Sequence, residues 1–131
     1  MADNRKRELV VIGGGPGGYA AAFFAADKGM QVTLVDPEEN PGGVCLSRGC
    51  IPSKALLHLA KVVHEAAELE KSGIKFGAPK IDAKQVRAFK EKVVKQLTEG
   101  VGQLAKARKV EHIRGYARFK TANTITIEGV D

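Results

Sequence analysis

The chain has no tryptophan, and only 5% of its 131 residues are aromatic. It has two cysteines and three histidines. No run approaches the roughly 18 apolar residues that a membrane helix needs, so no membrane association is expected. The formal net charge of +6 invites a nucleic-acid reading. However, Lys84, Arg87, Lys90, Lys92, Lys95, Lys106, Arg108 and Lys109 are interspersed with Glu91 and Glu99, and few aromatics are present for bases to stack on. Interspersed charge of this kind reads as a solvated helix face, so no nucleic-acid partner is expected. With His58, His64 and His112 scattered, the two cysteines do not complete a zinc pattern, and no metal is expected. Met1–Arg7 is short and polar and leaves no room for a presequence, which points to a cytoplasmic protein or to a mature form whose presequence is gone.

Cys45 and Cys50 lie five positions apart. A disulfide between them would close so short a loop that chain entropy contributes only about 2 kcal/mol. That is weak as a stability device, and it favours a redox role.

The 44% hydrophobic content and the length suit one α/β domain. Glu8–Ile12 is a short apolar run that reads as a buried parallel strand. Pro16–Lys28 reads as an alanine-rich helix ending at Gly29, and Gln31–Asp36 as a second strand, which together make a right-handed βαβ unit. Asn40-Pro41-Gly42-Gly43 is a turn. Ser53–Lys71 is a helix with Leu56, Leu59, Val63 and Ala66 on one face. Pro52 predicts that any helix through Cys50 is irregular there. After a loop over 72–81, Asp82 and Gln85 stand at capping-box positions. Val86, Phe89, Val93, Leu97, Val101 and Leu104 then form a helical stripe to about residue 107, which Gly100 and Gly102 should weaken. Val110–Arg114, Tyr116–Lys120 and Thr124–Glu128 read as strands.

Gly13-Gly14-Gly15-Pro16-Gly17-Gly18 fits G-x-G-x-x-G between the first strand and the first helix. Gly13 permits the tight turn, Gly15 lets a pyrophosphate approach the backbone, and Gly18 lets helix and strand pack closely. Amides at the helix start bind phosphate. Asp36, 23 residues after Gly13, can bond ribose hydroxyls and would repel a 2′-phosphate, which argues against NADP.

The cysteines sit in Gly42-Gly43-Val44-Cys45-Leu46-Ser47-Arg48-Gly49-Cys50-Ile51-Pro52-Ser53-Lys54. Cys50 precedes a helix, and Lys54 lies one turn along. A helix N-terminus and a nearby cation lower a thiol's pKa, to roughly 3.5–7.5 in reactive sites. The glycines leave space for a flat ring. A thiol pair so placed can exchange with a substrate dithiol through a mixed disulfide.

This segment, continuing through Ala55-Leu56-Leu57-His58, resembles the dihydrolipoamide dehydrogenase branch of the flavin disulfide reductases. Ile51-Pro52-Ser53-Lys54-Ala55-Leu56-Leu57-His58 favours that branch over the mercuric and glutathione reductases. Phe76-Gly77, Pro79-Lys80, Glu91-Lys92-Val93-Val94 and Gln96-Leu97-Thr98 are similar to bacterial members. Ala22 and Gly29 complete a longer small-residue pattern that resembles FAD-binding proteins.

The resemblance implies an FAD/NAD(P)-binding Rossmann-like α/β domain with a parallel sheet, flanking helices and the start of a β-meander. It implies that Gly13, Gly15, Pro16, Gly17 and Gly18 hold the FAD pyrophosphate and that Asp36 holds the adenosine ribose. Asp36 to Cys45, with Pro37, Gly42, Gly43 and Val44, would wrap the adenosine side. Lys54 would stabilise reduced flavin, and the Ala117 backbone would contact adenine. Cys45 would be the thiol that meets dihydrolipoamide, and Cys50 the thiol that faces the flavin.

The implied parent is a homodimer that oxidises dihydrolipoamide on the lipoyl domains of 2-oxo acid dehydrogenase complexes. Electrons would pass through the disulfide and FAD to NAD+, with a histidine base from the other subunit. Family chains are several times longer than this one. Residues 1–131 are therefore expected to be the N-terminal part of an FAD-binding domain, without the NAD-binding and dimerisation domains. Alone, the chain is expected to bind FAD weakly or not at all, to lack NAD-linked turnover and to self-associate. Ser47 and Arg48 depart from the family, which commonly has Asn and Val there, and Arg48 could tune the thiols. The other readings are another flavin disulfide reductase, mercuric or glutathione reductase-like, or a stand-alone nucleotide-binding or dithiol module.

Overall fold

The computed structural model describes residues 5–129. Strand β1 (Leu9–Ile12), helix α1 (Pro16–Asp27) and strand β2 (Val32–Asp36) form the expected βαβ unit. Helices α2 (Gly43–Ser47) and α3 (Cys50–Glu68) follow, then a 3-10 turn (Leu69–Ser72), helix α4 (Ala83–Ala107) and strands β3 (Glu111–Arg114), β4 (Tyr116–Thr121) and β5 (Thr124–Glu128). The first three strands make a parallel sheet in the order β1-β2-β3, with Val11 beside Leu34 and Asp36 beside Arg114. β4 and β5 form a separate antiparallel hairpin. Helices flank the parallel sheet, as the sequence predicts.

β2 lies between two strands, and all five of its residues are buried. One face of the sheet packs under α1 and the end of α4, where Ala22, Ala25, Val32, Leu34, Ala105 and Val110 make the core. Alanine suits this layer because a small side chain lets helix and sheet approach closely.

The expectation of a buried first strand is corrected. β1 is an edge strand whose residues alternate between half-buried and exposed. Leu9 and Val11 share the α1 face with Val32 and Leu34, whereas Val10 and Ile12 point to the opposite face and are exposed. The apolar run Leu9–Ile12 suits a strand covered on both faces, and here only one face is covered.

The third helix begins at Cys50 rather than Ser53, with Pro52 in its first turn, where a missing N–H costs nothing. Asp82 caps α4 by accepting from the amides of Lys84 (2.9 Å) and Gln85 (3.2 Å). The Gln85 side chain reaches the Asp82 carboxylate rather than its backbone. Gly102 is buried, and a Cβ there would lie 2.3 Å from Asn40 Oδ1. The helix propensity lost at Gly102 thus permits a close crossing of α4 over the loop that leads to the cysteines. α3 packs on α4, but Leu56, Val63, Phe89, Leu97 and Leu104 remain substantially exposed, because no third layer covers the pair among the described residues.

At the opposite end of the sheet from Asp36, the Glu111 carboxylate joins β3 to the chain's start. It accepts from Arg5 (2.6 Å), Arg7 (2.6 Å) and the Thr33 hydroxyl (2.9 Å). The hydrogen bond from Arg7 is the leading cause of a Glu111 pKa below the usual carboxylate value; partial burial opposes it. A carboxylate with a lowered folded pKa stabilises the fold above its unfolded pKa and loses that contribution as pH falls through the folded one. Glu111→Gln should cost about 1 kcal/mol at neutral pH, a charged-hydrogen-bond value reduced for partial exposure. The gap from the unaltered chain should narrow below pH 4.5, as urea titrations at several pH values would reveal. A gap independent of pH would refute the assignment.

Candidate redox and nucleotide site

The parallel arrangement brings the C-terminal ends of β1 and β2 together, and the glycine loop leaves β1 there. Gly13 has φ +95°, a left-handed conformation, and its amide donates to Val35 O at 2.8 Å. Gly15 is the N-cap of α1 and contributes no side-chain cap, and Pro16 opens the helix. No protein atom would lie within 4 Å of a Cβ at Gly15 or Gly17, so the backbone at the helix start faces open space. Gly18 is the opposite case, because a Cβ there would fall 1.8 Å from Gly13 O. The three spaced glycines thus differ in kind: Gly13 turns the chain, Gly15 leaves space open and Gly18 packs closely.

Asp36 ends β2 and is only 7% exposed. One carboxylate oxygen accepts from the Gly14 amide at 2.5 Å, and the other from the Glu38 amide at 2.9 Å. The residue braces the glycine loop and starts the next turn, a role that the spacing argument missed. The Asp36 carbonyl accepts from the Gly115 amide at 3.1 Å, which sets the start of β4 beside the end of β2, and Ala117 lies on β4 opposite Ile127 of β5. The Pro37 carbonyl accepts from Arg114 at 3.0 Å.

The segment after Asp36 returns to the glycine loop. The Gly42 amide donates to Gly14 O at 2.7 Å. Gly43 has φ +63°, and a Cβ there would lie 2.6 Å from Gly15 Cα. α2 starts at this contact and carries exposed Val44 and half-buried Cys45. The sequence reading placed a turn here and missed the helix. Ser47 supports it by donating from its hydroxyl to Gly43 O at 2.6 Å. Gly49 then passes close to α2, since a Cβ there would meet Val44 O at 3.0 Å. This contact sets exposed Cys50, the first residue of α3, against Cys45.

Both cysteines are free thiols. The Cys45 thiol is pushed above its ordinary pKa, first by its hydrogen bond with the Cys50 side chain, then by desolvation and by the Cys50 charge. The Cys50 backbone amide and the Lys54 ammonium pull it back only in part. At Cys45 the hydrogen bond with the second sulfur and desolvation outweigh the Cys50 backbone amide and the Lys54 charge. Lys54 is exposed, one turn beyond Cys50. Arg48 pairs with Glu38 at 2.8 Å.

His112 lies on β3. Burial lowers its pKa against the opposing charge of Asp36, and its Nε2 has no hydrogen-bond partner among the described residues. His58 and His64 are exposed on α3, and no group of potential metal ligands occurs among the described residues. No helix among them is long and apolar enough to cross a membrane.

The profile of the pyridine nucleotide-disulphide oxidoreductase family matches residues 7–130. The chain belongs to that family. It is 50% identical over 129 residues to a dihydrolipoyl dehydrogenase of Vibrio cholerae, a match covering 98% of this chain. It is 48% identical over its full length to that of Haemophilus influenzae. It is 41% identical over 127 residues to the mitochondrial dihydrolipoyl dehydrogenase 1 of Arabidopsis thaliana. The match spans 27% of the length of each bacterial relative and 25% of the plant one.

Proposed function

We propose that the chain supplies the dithiol and the ADP-binding half of the flavin site of a dihydrolipoyl dehydrogenase, as the N-terminal part of its FAD-binding domain. The observation that carries this reading is the junction of the two motifs. Gly42 is hydrogen-bonded to Gly14, and Gly43 rests on Gly15, so the cysteine-bearing helix is built directly on the glycine loop. The uncapped start of α1, open at Gly15 and Gly17, suits a pyrophosphate. Bound FAD would take up the electron pair of the dithiol and deliver it as hydride to NAD+.

The chain's own residues would act as follows. Gly13, Gly15, Pro16, Gly17 and Gly18 receive the pyrophosphate. Asp36 holds the loop in shape through Gly14 and has lone pairs left for a ribose hydroxyl. Pro37, Gly42, Gly43 and Val44 line the adenosine side, and the Ala117 backbone meets the adenine. Cys45 meets the substrate dithiol, Cys50 faces the flavin ring, and Lys54 supplies positive charge beside it. In the whole enzyme the substrate is dihydrolipoamide on the lipoyl domains of 2-oxo acid dehydrogenase complexes, the working unit is a homodimer, and the compartment is the cytoplasm.

The test has two arms. The reduced chain, mixed with oxidised lipoamide, should form the Cys45–Cys50 disulfide and release dihydrolipoamide, seen by mass spectrometry after alkylation. Cys45→Ser should abolish this. ADP should bind in calorimetry, even where whole FAD binds weakly. No disulfide formation together with no ADP binding would sink the proposal.

A further inference from the structure

We propose that Arg48 and Glu38 are positioning residues for the dithiol: their ion pair straps the cysteine-bearing turn to the loop that follows β2. The inference rests on the dithiol reading above and deepens it.

Arg48 lies between the two cysteines and is the C-cap of α2. Its amide donates to Val44 O at 2.9 Å, which fixes its backbone, and its guanidinium reaches Glu38 at 2.8 Å. Glu38 is fixed in turn, because its amide donates to Asp36 at 2.9 Å, and Asp36 accepts from the Gly14 amide. A continuous series of polar contacts therefore runs from the turn between the sulfurs, through Arg48, Glu38 and Asp36, to the nucleotide loop. Gly42 and Gly43 anchor the front of α2 to that loop, and the strap anchors its back.

An exposed ion pair between two free side chains contributes little. Here both backbones are already held by hydrogen bonds, so forming the pair orders only the two side chains. The benefit falls on the loop between Cys45 and Cys50. With both of its ends and its middle held, the sulfurs stay within reach of each other, and the effective concentration for disulfide closure rises. The strap also keeps the guanidinium on Glu38.

The experiment equilibrates the full chain with a dithiothreitol redox buffer. The Cys45–Cys50 S–S bond forms, the S–S bond of oxidised dithiothreitol breaks, and two electrons and two protons pass to dithiothreitol. The closed fraction is read by alkylation and mass. Arg48→Gln and Glu38→Gln should each lower the closure constant about two- to fivefold, the range of a well-held surface pair. The double variant should lose no more than either single one. The charge swap of Arg48→Glu with Glu38→Arg should restore closure, and about 1 M salt should bring the unaltered chain down to the level of the variants. Unchanged constants in the single variants, or additive losses in the double, overturn the strap while leaving the dithiol reading intact. Failure of the unaltered pair to close overturns both.

Discussion

Gly18→Ala should remove a large share of the fold's stability. The added Cβ would lie 1.8 Å from Gly13 O and 2.9 Å from Gly13 C, both backbone atoms of the loop that leaves β1. No rotamer relieves such a contact, so α1 must move away from β1 or the loop must open. Either movement separates Ala22 and Ala25 from Leu34 in the core. Overpacking ordinarily costs 1–3 kcal/mol, and a backbone clash belongs at or above the top of that range, so we expect about 3 kcal/mol or more. Against the 5–15 kcal/mol typical of a whole domain that is a large share. Gly17→Ala is the internal control, because no atom lies within 4 Å of a Cβ there and the residue is already helical. It should leave stability nearly unchanged. Urea midpoints for the two variants should differ sharply, and a Gly18→Ala midpoint near that of Gly17→Ala would contradict the packing argument.

The sequence carried the order of most elements and the glycine loop because both depend on local chemistry. A four-residue apolar strand, a glycine turn and an alanine-rich helix can each be read within a short window. The same holds for Asp82, whose cap is satisfied by amides two and three residues away. What escaped were features set by distant partners. Burial of β1 depends on whether something covers Val10 and Ile12, which their own pattern does not encode. Gly102 looks like a helix defect until Asn40, far away in sequence, is seen against it. Asp36 signals a ribose by its spacing, yet its bonds to Gly14 and Glu38 follow only from the fold of the loop. α2 is five residues long, too short for periodicity to register. That the two cysteines come together was legible from their spacing. The sense of the Cys45 shift was not, since it depends on how closely the Cys50 sulfur approaches.

Gly43→Ala should separate the dithiol from the nucleotide loop. Two costs combine at this position. The backbone has φ +63°, where a side chain costs roughly 1–2 kcal/mol. The Cβ would also lie 2.6 Å from Gly15 Cα and 3.2 Å from Gly15 N, so the first residue of α2 would be driven off the loop. Gly77→Ala isolates the first cost, because Gly77 has φ +76° and nothing within 4 Å of a Cβ. A loss of about 1 kcal/mol is expected for Gly77→Ala and about 3 kcal/mol for Gly43→Ala, the difference being the steric part. The Gly43 variant should show a second effect that Gly77→Ala lacks. The displaced α2 takes Cys45 away from Cys50 and breaks the Gly42–Gly14 hydrogen bond, so disulfide closure and ADP binding should weaken together. Calorimetry with ADP and the dithiothreitol equilibrium measure the two independently. A Gly43→Ala chain that closes its disulfide normally while losing only ADP binding would show that the two motifs are neighbours without being coupled, and would remove the main support for reading them as one site.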